Sequence, residues 1–309
     1  MGNTVGNIRT VVVSLLEILP EGNDEAPLVR DWVEAVARKL RIGSRRYGAA
    51  TMSLIRLDHD GQLAVMSIDS PPLNLFDQEL MGELSQTVDR LVSEPPRGLL
   101  IRAGGRVVSG GVDVHVFDGL STEQAADMWV RLLDLVHRVE QLPLPTVFAA
   151  HGLCLTAAFE LSLGCDLLLA AESARFGLVE TVVGLTPAMG GTQRLTERAG
   201  PARARELVMT GELYDAATLE RWNVVNRVLP DEGFDEAARA FARKLAEGPT
   251  RAHAATKGIV RACLDRGGAR GADELVPRLA GDLFATEDLK RGVRSFLERG
   301  PGHATYEGR

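Results

Sequence analysis

Several features that would point to common functional classes are missing from this sequence of 309 residues. Basic residues form no block and the net charge is −7, which argues against nucleic-acid or membrane-surface binding as the main role. The six histidines lack the spacing of metal ligands. We therefore expect no nucleic-acid partner and no metal site.

Cysteine is also scarce: Cys154, Cys165 and Cys263 are odd in number and form no CxxC pair. This pattern fits small core residues in a reducing compartment. The apolar segment TVVVSLL at residues 10–16 is too short to span a bilayer. It is also a poor signal peptide, because only Arg9 precedes it and no small-residue cleavage site follows. We expect a cytoplasmic protein without a membrane partner.

Aromatic residues make up only 5% of the chain, whereas there are 32 glycines, and the hydrophobic fraction is 45%. Such a composition is typical of a globular protein with a sizeable core and suits close-packed turns. Amphipathic helices, such as that predicted at 78–94 with Leu80, Leu84, Val88, Leu91 and Val92 on one side, alternate with short apolar strands. This alternation predicts an α/β fold with mostly parallel strands.

The chain divides into three predicted regions. Residues 1–51 form an N-terminal extension unlike the rest, and Met52 opens a self-contained domain. Two alternating runs around Asp60-Gly61 predict a β-hairpin at its start. We place the α/β core at 52–246 and a helical C-terminal region at 247–309.

Glu160 lies in the small and apolar run HGLCLTAAFELSLGCD at 151–166, with no basic residue within five positions. A buried, unpaired carboxylate is costly or takes up a proton. After the turn at Gly152, Thr156 is a predicted helix N-cap, and the first backbone N–H groups of that helix could bind an oxyanion. The alternative is a structural glutamate bonded to backbone or to Arg194.

A second isolated carboxylate, Glu180, lies among valines and leucines before the Gly190-Gly191-Thr192 turn. Two carboxyl groups in one apolar site separate their pKa values, so that one holds a proton while the other accepts one. The small-residue turn at 107–114 could add the N–H of Val112 as another oxyanion donor. A solvated helix cap for Glu180 and a plain loop at Val112 are the alternatives.

No Walker motif, Rossmann fingerprint or G-x-S-x-G context is present. Taken together, PPLNLF (71–76), SGGVDV (109–114), the runs around Glu160 and Glu180, and the segments at 204–230 and 284–300 resemble the crotonase superfamily of enoyl-CoA hydratases and isomerases. The resemblance extends from about residue 60 to the C-terminus. It implies a spiral of β-β-α units and C-terminal helices that build trimers, often paired into hexamers.

The resemblance also implies a site for a coenzyme A thioester, with coenzyme A as part of the substrate and no separate cofactor. Val112 and Ala157 would supply the two oxyanion N–H groups. Glu180 would act as the principal acid/base and Glu160 would hold the water. The remaining implied substrate contacts are Gly110, Gly111, Asp113 and Val114 along the pantetheine and adenine, and Lys257 and Arg299 at the phosphates.

Three departures from the family pattern concern the walls of this site. Thr156, Ala157 and Ala158 stand where glycines are usual, Val112 stands where alanine is common, and SPPLN lacks a basic residue. If Ala157 is right-handed helical, its methyl group costs nothing; a positive φ there would distort the oxyanion hole. Having both glutamates favours hydration, with isomerisation or another thioester reaction as the alternative. A non-catalytic relative that binds acyl-CoA or RNA is the alternative of another class.

Overall fold

The computed structural model describes residues 53–309, so the predicted extension at 1–51 lies outside the described residues. Within them, the strands are β1 (Ile55–Asp60), β2 (Leu63–Ile68), β3 (Gly98–Ala103), β4 (Thr146–Ala150), β5 (Leu153–Leu155), β6 (Leu167–Ala171), β7 (Arg175–Gly177), β8 (Tyr214–Asp215) and β9 (Arg227–Leu229). The α-helices are α1 (Gln78–Ser93), α2 (Thr122–Glu140), α3 (Ala157–Leu163), α4 (Gly191–Thr210), α5 (Ala216–Arg221), α6 (Phe234–Ala246), α7 (Thr250–Asp265), α8 (Ala269–Asp273), α9 (Val276–Asp282) and α10 (Glu287–Arg299).

The strands form two sheets between which the chain passes back and forth. The larger sheet has the order β1-β2-β3-β4-β6-β9, and the smaller one has the order β5-β7-β8. All neighbours in the larger sheet are parallel except the β1–β2 hairpin. In β4-β5-α3 and β6-β7-α4, a strand of the larger sheet is followed along the chain by a strand of the smaller sheet and then by a helix. This order is the β-β-α unit that the resemblance implies. The predicted α/β class and mostly parallel pairing are confirmed.

The predicted hairpin is confirmed, with its turn one residue later than expected. Asp60 pairs with Leu63, which leaves Gly61 and Gln62 in the turn, and Gly61 takes a φ of 62° that favours glycine. The second strand is buried along its whole length instead of alternating. It lies between β1 and β3 in a sheet, and strands in that position are covered on both faces.

Helices α1 and α2 cover this sheet through apolar faces. Leu80, Leu84, Val88 and Leu91 of α1 are buried as predicted, whereas Val92 is 50% exposed and the prediction for it was wrong. Val92 follows Leu91 by one position, which turns it about a quarter of a turn away from the buried stripe. At the start of α2, Ser121 and Gln124 form the predicted capping box.

The C-terminal region is helical, as predicted, and it leaves apolar side chains exposed. Phe284, Val293, Phe296 and Leu297 are all more than half exposed, on and just before α10. The predicted boundary at 246 coincides with the end of α6 and stays a prediction as a domain limit. Among the described residues, no helix combines the length and apolar character needed to cross a membrane.

Two buried polar side chains, Asn74 and Ser109, fix the turn at residues 109–112. Asn74 is 2% exposed and donates from Nδ2 to the carbonyl oxygens of Gly104, Val107 and Val108. The Ser109 hydroxyl donates to the Asn74 carbonyl at 2.7 Å and accepts from the N–H of Gly111 at 3.0 Å. These bonds hold the turn beside the start of α3.

Replacing Asn74 with glycine isolates the contribution of these side-chain bonds, because glycine tolerates the φ of 50° found there. We expect the free energy of unfolding to fall by at least about 2 kcal/mol, since three carbonyl groups and the N–H of Ser70 lose their partner. Urea denaturation measures this difference, and Gln86→Ala on the exposed face of α1 is the control. Equal stability of the Asn74→Gly variant and the wild type would contradict the proposed support of the turn.

Candidate active site

A cavity of about 130 Å³ lies between α2, the 109–112 turn, α3 and the segment that follows β7. Its walls are mainly apolar and include Met81, Trp129 and Leu132. Glu160 and Glu180 both line it, together with Val112, Thr156 and Ala157. The structure therefore brings together the two predicted acid/base residues and both predicted oxyanion residues.

Glu160 is held by the turn that begins α4. Its side chain is 3% exposed, and Oε2 accepts the N–H of Met189 at 2.9 Å and that of Gly191 at 2.7 Å. A Cβ at Gly191 would lie 2.8 Å from Glu160 Cγ, so this close approach requires glycine. Of the alternative that the sequence left open, the bonds to backbone are observed. An ion pair with Arg194 is not observed, because the Arg194 guanidinium binds Glu140 at 2.6 Å and the carbonyl of Gly190.

Glu180 begins a 3-10 helix at Glu180–Val183 and has a different environment. Its Oε2 is buried and has no hydrogen-bond partner among the described residues. An exposed helix cap would have left this atom in solvent, so the alternative of a solvated cap does not describe it. A partnerless carboxyl oxygen at the wall of a cavity is instead available to a molecule inside it.

The two carboxyl groups differ in what stabilises their charge. Burial raises the pKa of Glu160 to about 7, opposed by the N–H groups of Gly191 and Met189 and by the charge of Arg194. Burial raises the pKa of Glu180 to about 8, and the negative charge of Glu160 raises it further. Glu160 is therefore the group of the pair that ionises more easily, and Glu180 keeps its proton to higher pH.

The start of α3 settles the question that the sequence raised about Ala157. Ala157 is the first residue of the helix and does not have a positive φ, so its methyl group causes no strain. Its N–H has no acceptor among the described residues and lies at the cavity. The N–H of Thr156 is not available in the same way, because it donates to the carbonyl of Gly177 at 3.0 Å.

The structure corrects the predictions for Thr156 and Val112. Thr156 occupies the N-cap position of α3, but its side chain makes no cap hydrogen bond, because a φ of 46° and ψ of −119° turn it away from the helix. Its hydroxyl instead accepts the N–H of Val112 at 3.1 Å. The N–H predicted to face the substrate directly is therefore already bonded.

The other predicted substrate contacts lie on or near the same turn. Gly110 and Val114 line the cavity, whereas Gly111, with a φ of 99°, and Asp113 are set back from it. The Asp113 carboxylate caps the short 3-10 helix Val114–Phe117 by accepting the N–H of His115. The predicted contacts of Gly110, Gly111, Asp113 and Val114 with the pantetheine and adenine stay predictions.

Lys257 and Arg299 lie away from this cavity. The Lys257 ammonium donates to the carbonyl of Leu144 and pairs with Asp166 at 2.9 Å, in the wall of a second cavity of about 750 Å³. The Arg299 guanidinium bonds to the Ser295 hydroxyl and to the carbonyl of His303. Both cations already have partners within the chain, which does not support the predicted phosphate contacts.

Two residues with a role in building the site escaped the sequence analysis. The Asn74 side chain and the Thr156 hydroxyl both act through backbone groups of the 104–112 segment. The only signal in the sequence was indirect: Asn74 lies in the quoted PPLNLF segment, and Thr156 stands at a position where the family usually has glycine.

Comparison with known proteins extends over most of the chain. The family model for enoyl-CoA hydratase/isomerase matches residues 58–308. A Bacillus subtilis (strain 168) protein named probable enoyl-CoA hydratase is 32% identical over 251 residues, which span 80% of this chain and 97% of that protein. The crotonyl-CoA hydratase of Syntrophomonas wolfei subsp. wolfei is 30% identical over 253 residues, spanning 79% of this chain and 95% of that protein.

Solved structures agree with this relationship. The crystal structure of an enoyl-CoA hydratase from Bacillus anthracis superposes with a TM-score of 0.77 at 27% identity, covering 83% of this chain and 100% of that one. The match in fold, the family model and the relatives all concern the same part of the chain. This protein belongs to the enoyl-CoA hydratase/isomerase family, within the crotonase superfamily.

Proposed function

We propose that this protein is an enoyl-CoA hydratase, which adds water across the C2=C3 bond of a 2-enoyl-CoA thioester. The observation that carries the proposal is the pair of glutamates, Glu160 buried and Glu180 half-buried, with unequal proton affinity in one mainly apolar cavity. Beside them is the N–H of Ala157, which has no acceptor among the described residues. Hydration needs a base for the water, an acid for C2 and a donor for the enolate oxygen, and this arrangement supplies all three.

The resemblance implies Glu180 as the principal acid/base and Glu160 as the residue that holds the water; the proposal instead divides the proton transfers between the two. The Glu160 carboxylate takes a proton from the water as the water oxygen bonds to C3, and the electron pair of the double bond moves onto the thioester as an enolate. The N–H of Ala157 stabilises the negative oxygen, an interaction of the kind worth about a hundredfold or more in rate. Glu180 then gives its proton to C2, and proton exchange between the two carboxyl groups restores the starting state.

The cavity limits the acyl group. A volume of about 130 Å³ is similar to that of an engineered apolar cavity of about 150 Å³ that accommodates benzene. Trp129 and Leu132 form part of its apolar wall. We therefore expect short enoyl chains, such as crotonyl, to be better substrates than long ones.

Hydration is tested by following the loss of the conjugated-thioester absorbance with enoyl-CoA substrates of increasing chain length. We expect turnover by the wild type, with kcat/KM highest for the shortest chains. Glu160→Gln and Glu180→Gln should each lower kcat by about a hundredfold or more, because an amide can neither accept nor donate the required proton.

The matched control is Glu123→Gln, which changes an exposed glutamate in the first turn of α2, outside the cavity. Migration of the double bond in 3-enoyl-CoA without hydration of 2-enoyl-CoA would point to isomerisation. Binding of thioesters without turnover of either would point to the non-catalytic alternative.

The pH dependence of kcat/KM follows from the two raised pKa values. Activity should rise as Glu160 loses its proton at about pH 7 and fall as Glu180 loses its proton at about pH 8. The result is a narrow bell with its maximum between these values, measured with crotonyl-CoA. A rate that is flat from about pH 6 to about pH 9 would contradict the assignment of one acid and one base.

Oligomerisation to a trimer or hexamer belongs to the same proposal. The exposed side chains of Phe284, Val293, Phe296 and Leu297 supply an apolar surface in the C-terminal region that a second subunit would cover. The absence of a separate cofactor and a cytoplasmic location also stay predictions.

A further inference from the structure

Thr156 adopts a backbone conformation that its residue type strongly disfavours. Its φ of 46° lies in the left-handed range, and the other described non-glycine residues with a positive φ are both asparagines, Asn74 and Asn223. Asparagine tolerates this range, whereas a β-branched side chain there is a true outlier. Strained conformations of this kind persist where the surroundings fix them, and they are concentrated at functional sites.

The strain places the Thr156 hydroxyl between the 109–112 turn and the cavity. The residue is 7% exposed and lines the cavity, and Oγ1 accepts the N–H of Val112 at 3.1 Å. A Cβ at Gly111 would lie 2.7 Å from this oxygen, so the turn leaves room for the hydroxyl only because residue 111 is glycine. The backbone N–H and carbonyl of Thr156 are also engaged, with Gly177 and Glu160.

The hydroxyl retains a free donor. A threonine oxygen can accept up to two hydrogen bonds and donate one. In the described part of the chain Oγ1 accepts from Val112, but the O–H has no acceptor. The unpaired N–H of Ala157, the next residue, lies at the same cavity wall. Thr156 and Ala157 both line the cavity, so two adjacent residues there carry donors without an acceptor in the described part of the chain, whereas the N–H of Val112 is already bonded.

We propose that the Thr156 hydroxyl, in place of the N–H of Val112, is the second oxyanion donor of this enzyme; the inference rests on the proposed thioester chemistry. The Val112 N–H donates to Oγ1, and the O–H donates to the thioester oxygen. A hydroxyl that accepts one hydrogen bond becomes a better donor in the next, so the backbone group acts through the side chain.

Three substitutions separate this role from simple packing. Thr156→Ser keeps the hydroxyl, Thr156→Val keeps the β-branched shape without it, and Thr156→Gly removes it, relieves the strained φ and frees the Val112 N–H. With crotonyl-CoA we expect kcat of the valine variant to fall by about a hundredfold, the cost of one lost oxyanion donor, with a smaller change in KM. The serine variant should stay within about threefold of the wild type, and the glycine variant within about tenfold, because the backbone N–H then takes over.

A readout without turnover accompanies the kinetics. Crotonyl-CoA is bound to a Glu160→Gln/Glu180→Gln background, and the shift of its conjugated-thioester absorbance to longer wavelength reports polarisation of the carbonyl. The shift should persist with Thr156→Ser and shrink with Thr156→Val. This measurement needs binding but no turnover, and binding of crotonyl-CoA by the valine variant shows in the same experiment that the variant is folded.

The possible outcomes are distinct. A valine variant as active as the wild type, with an unchanged absorbance shift, would overturn the inference and leave the hydratase proposal intact. A glycine variant much faster than the wild type would show that the hydroxyl blocks the oxyanion hole, which also overturns it. A shift that depends on the hydroxyl in a protein that hydrates no enoyl-CoA would support the inference and refute hydration. If the wild type does not bind crotonyl-CoA, both the inference about Thr156 and the hydratase proposal are overturned.

Discussion

The site depends on the cost of keeping two carboxyl groups in one apolar cavity. Neither glutamate has an ion-pair partner among the described residues. Burial raises the pKa of both, and the negative charge of Glu160 raises that of Glu180 further. Two backbone N–H groups, from Met189 and Gly191, make Glu160 the easier group to ionise. Glu180 has a buried oxygen that lacks any partner in the described part of the chain, and it retains its proton to higher pH than Glu160 does. The proposed division into one acid and one base rests on this unequal sharing of charge.

The fold supplies the backbone groups that make this arrangement possible. Parallel strands in the larger sheet end near one another, and each β-β-α unit carries the chain across to the smaller sheet before a helix begins. The 109–112 turn, the start of α3 and the start of α4 consequently surround one cavity. Asn74 and Ser109 hold the 109–112 turn, and the bond between Arg194 and the Gly190 carbonyl helps to hold the start of α4.

Much of the fold and of the candidate site could be predicted from the sequence, and the exceptions depend on contacts between residues that lie far apart in the chain. The alternation of helices and strands, the hairpin at Gly61 and the meeting of Glu160 with Glu180 follow from local patterns or from isolated carboxylates in apolar runs. The bond between Val112 and Thr156 joins residues 44 positions apart, and nothing local indicates that Thr156 takes a positive φ. Lys257 was predicted as a phosphate contact from the family resemblance, and only the structure shows that Asp166 neutralises it.

The state of the proton on Glu180 is the central claim, and infrared difference spectroscopy measures it most directly. The carbonyl stretch of a protonated carboxyl group should be present in the wild type at about pH 7.5, clearly weaker in Glu180→Gln, where only Glu160 with its lower pKa remains, and retained in Glu160→Gln. It should disappear as the pH rises through about 8. A wild-type spectrum without a protonated carboxyl group at neutral pH, or a band that survives Glu180→Gln unchanged, would contradict the account.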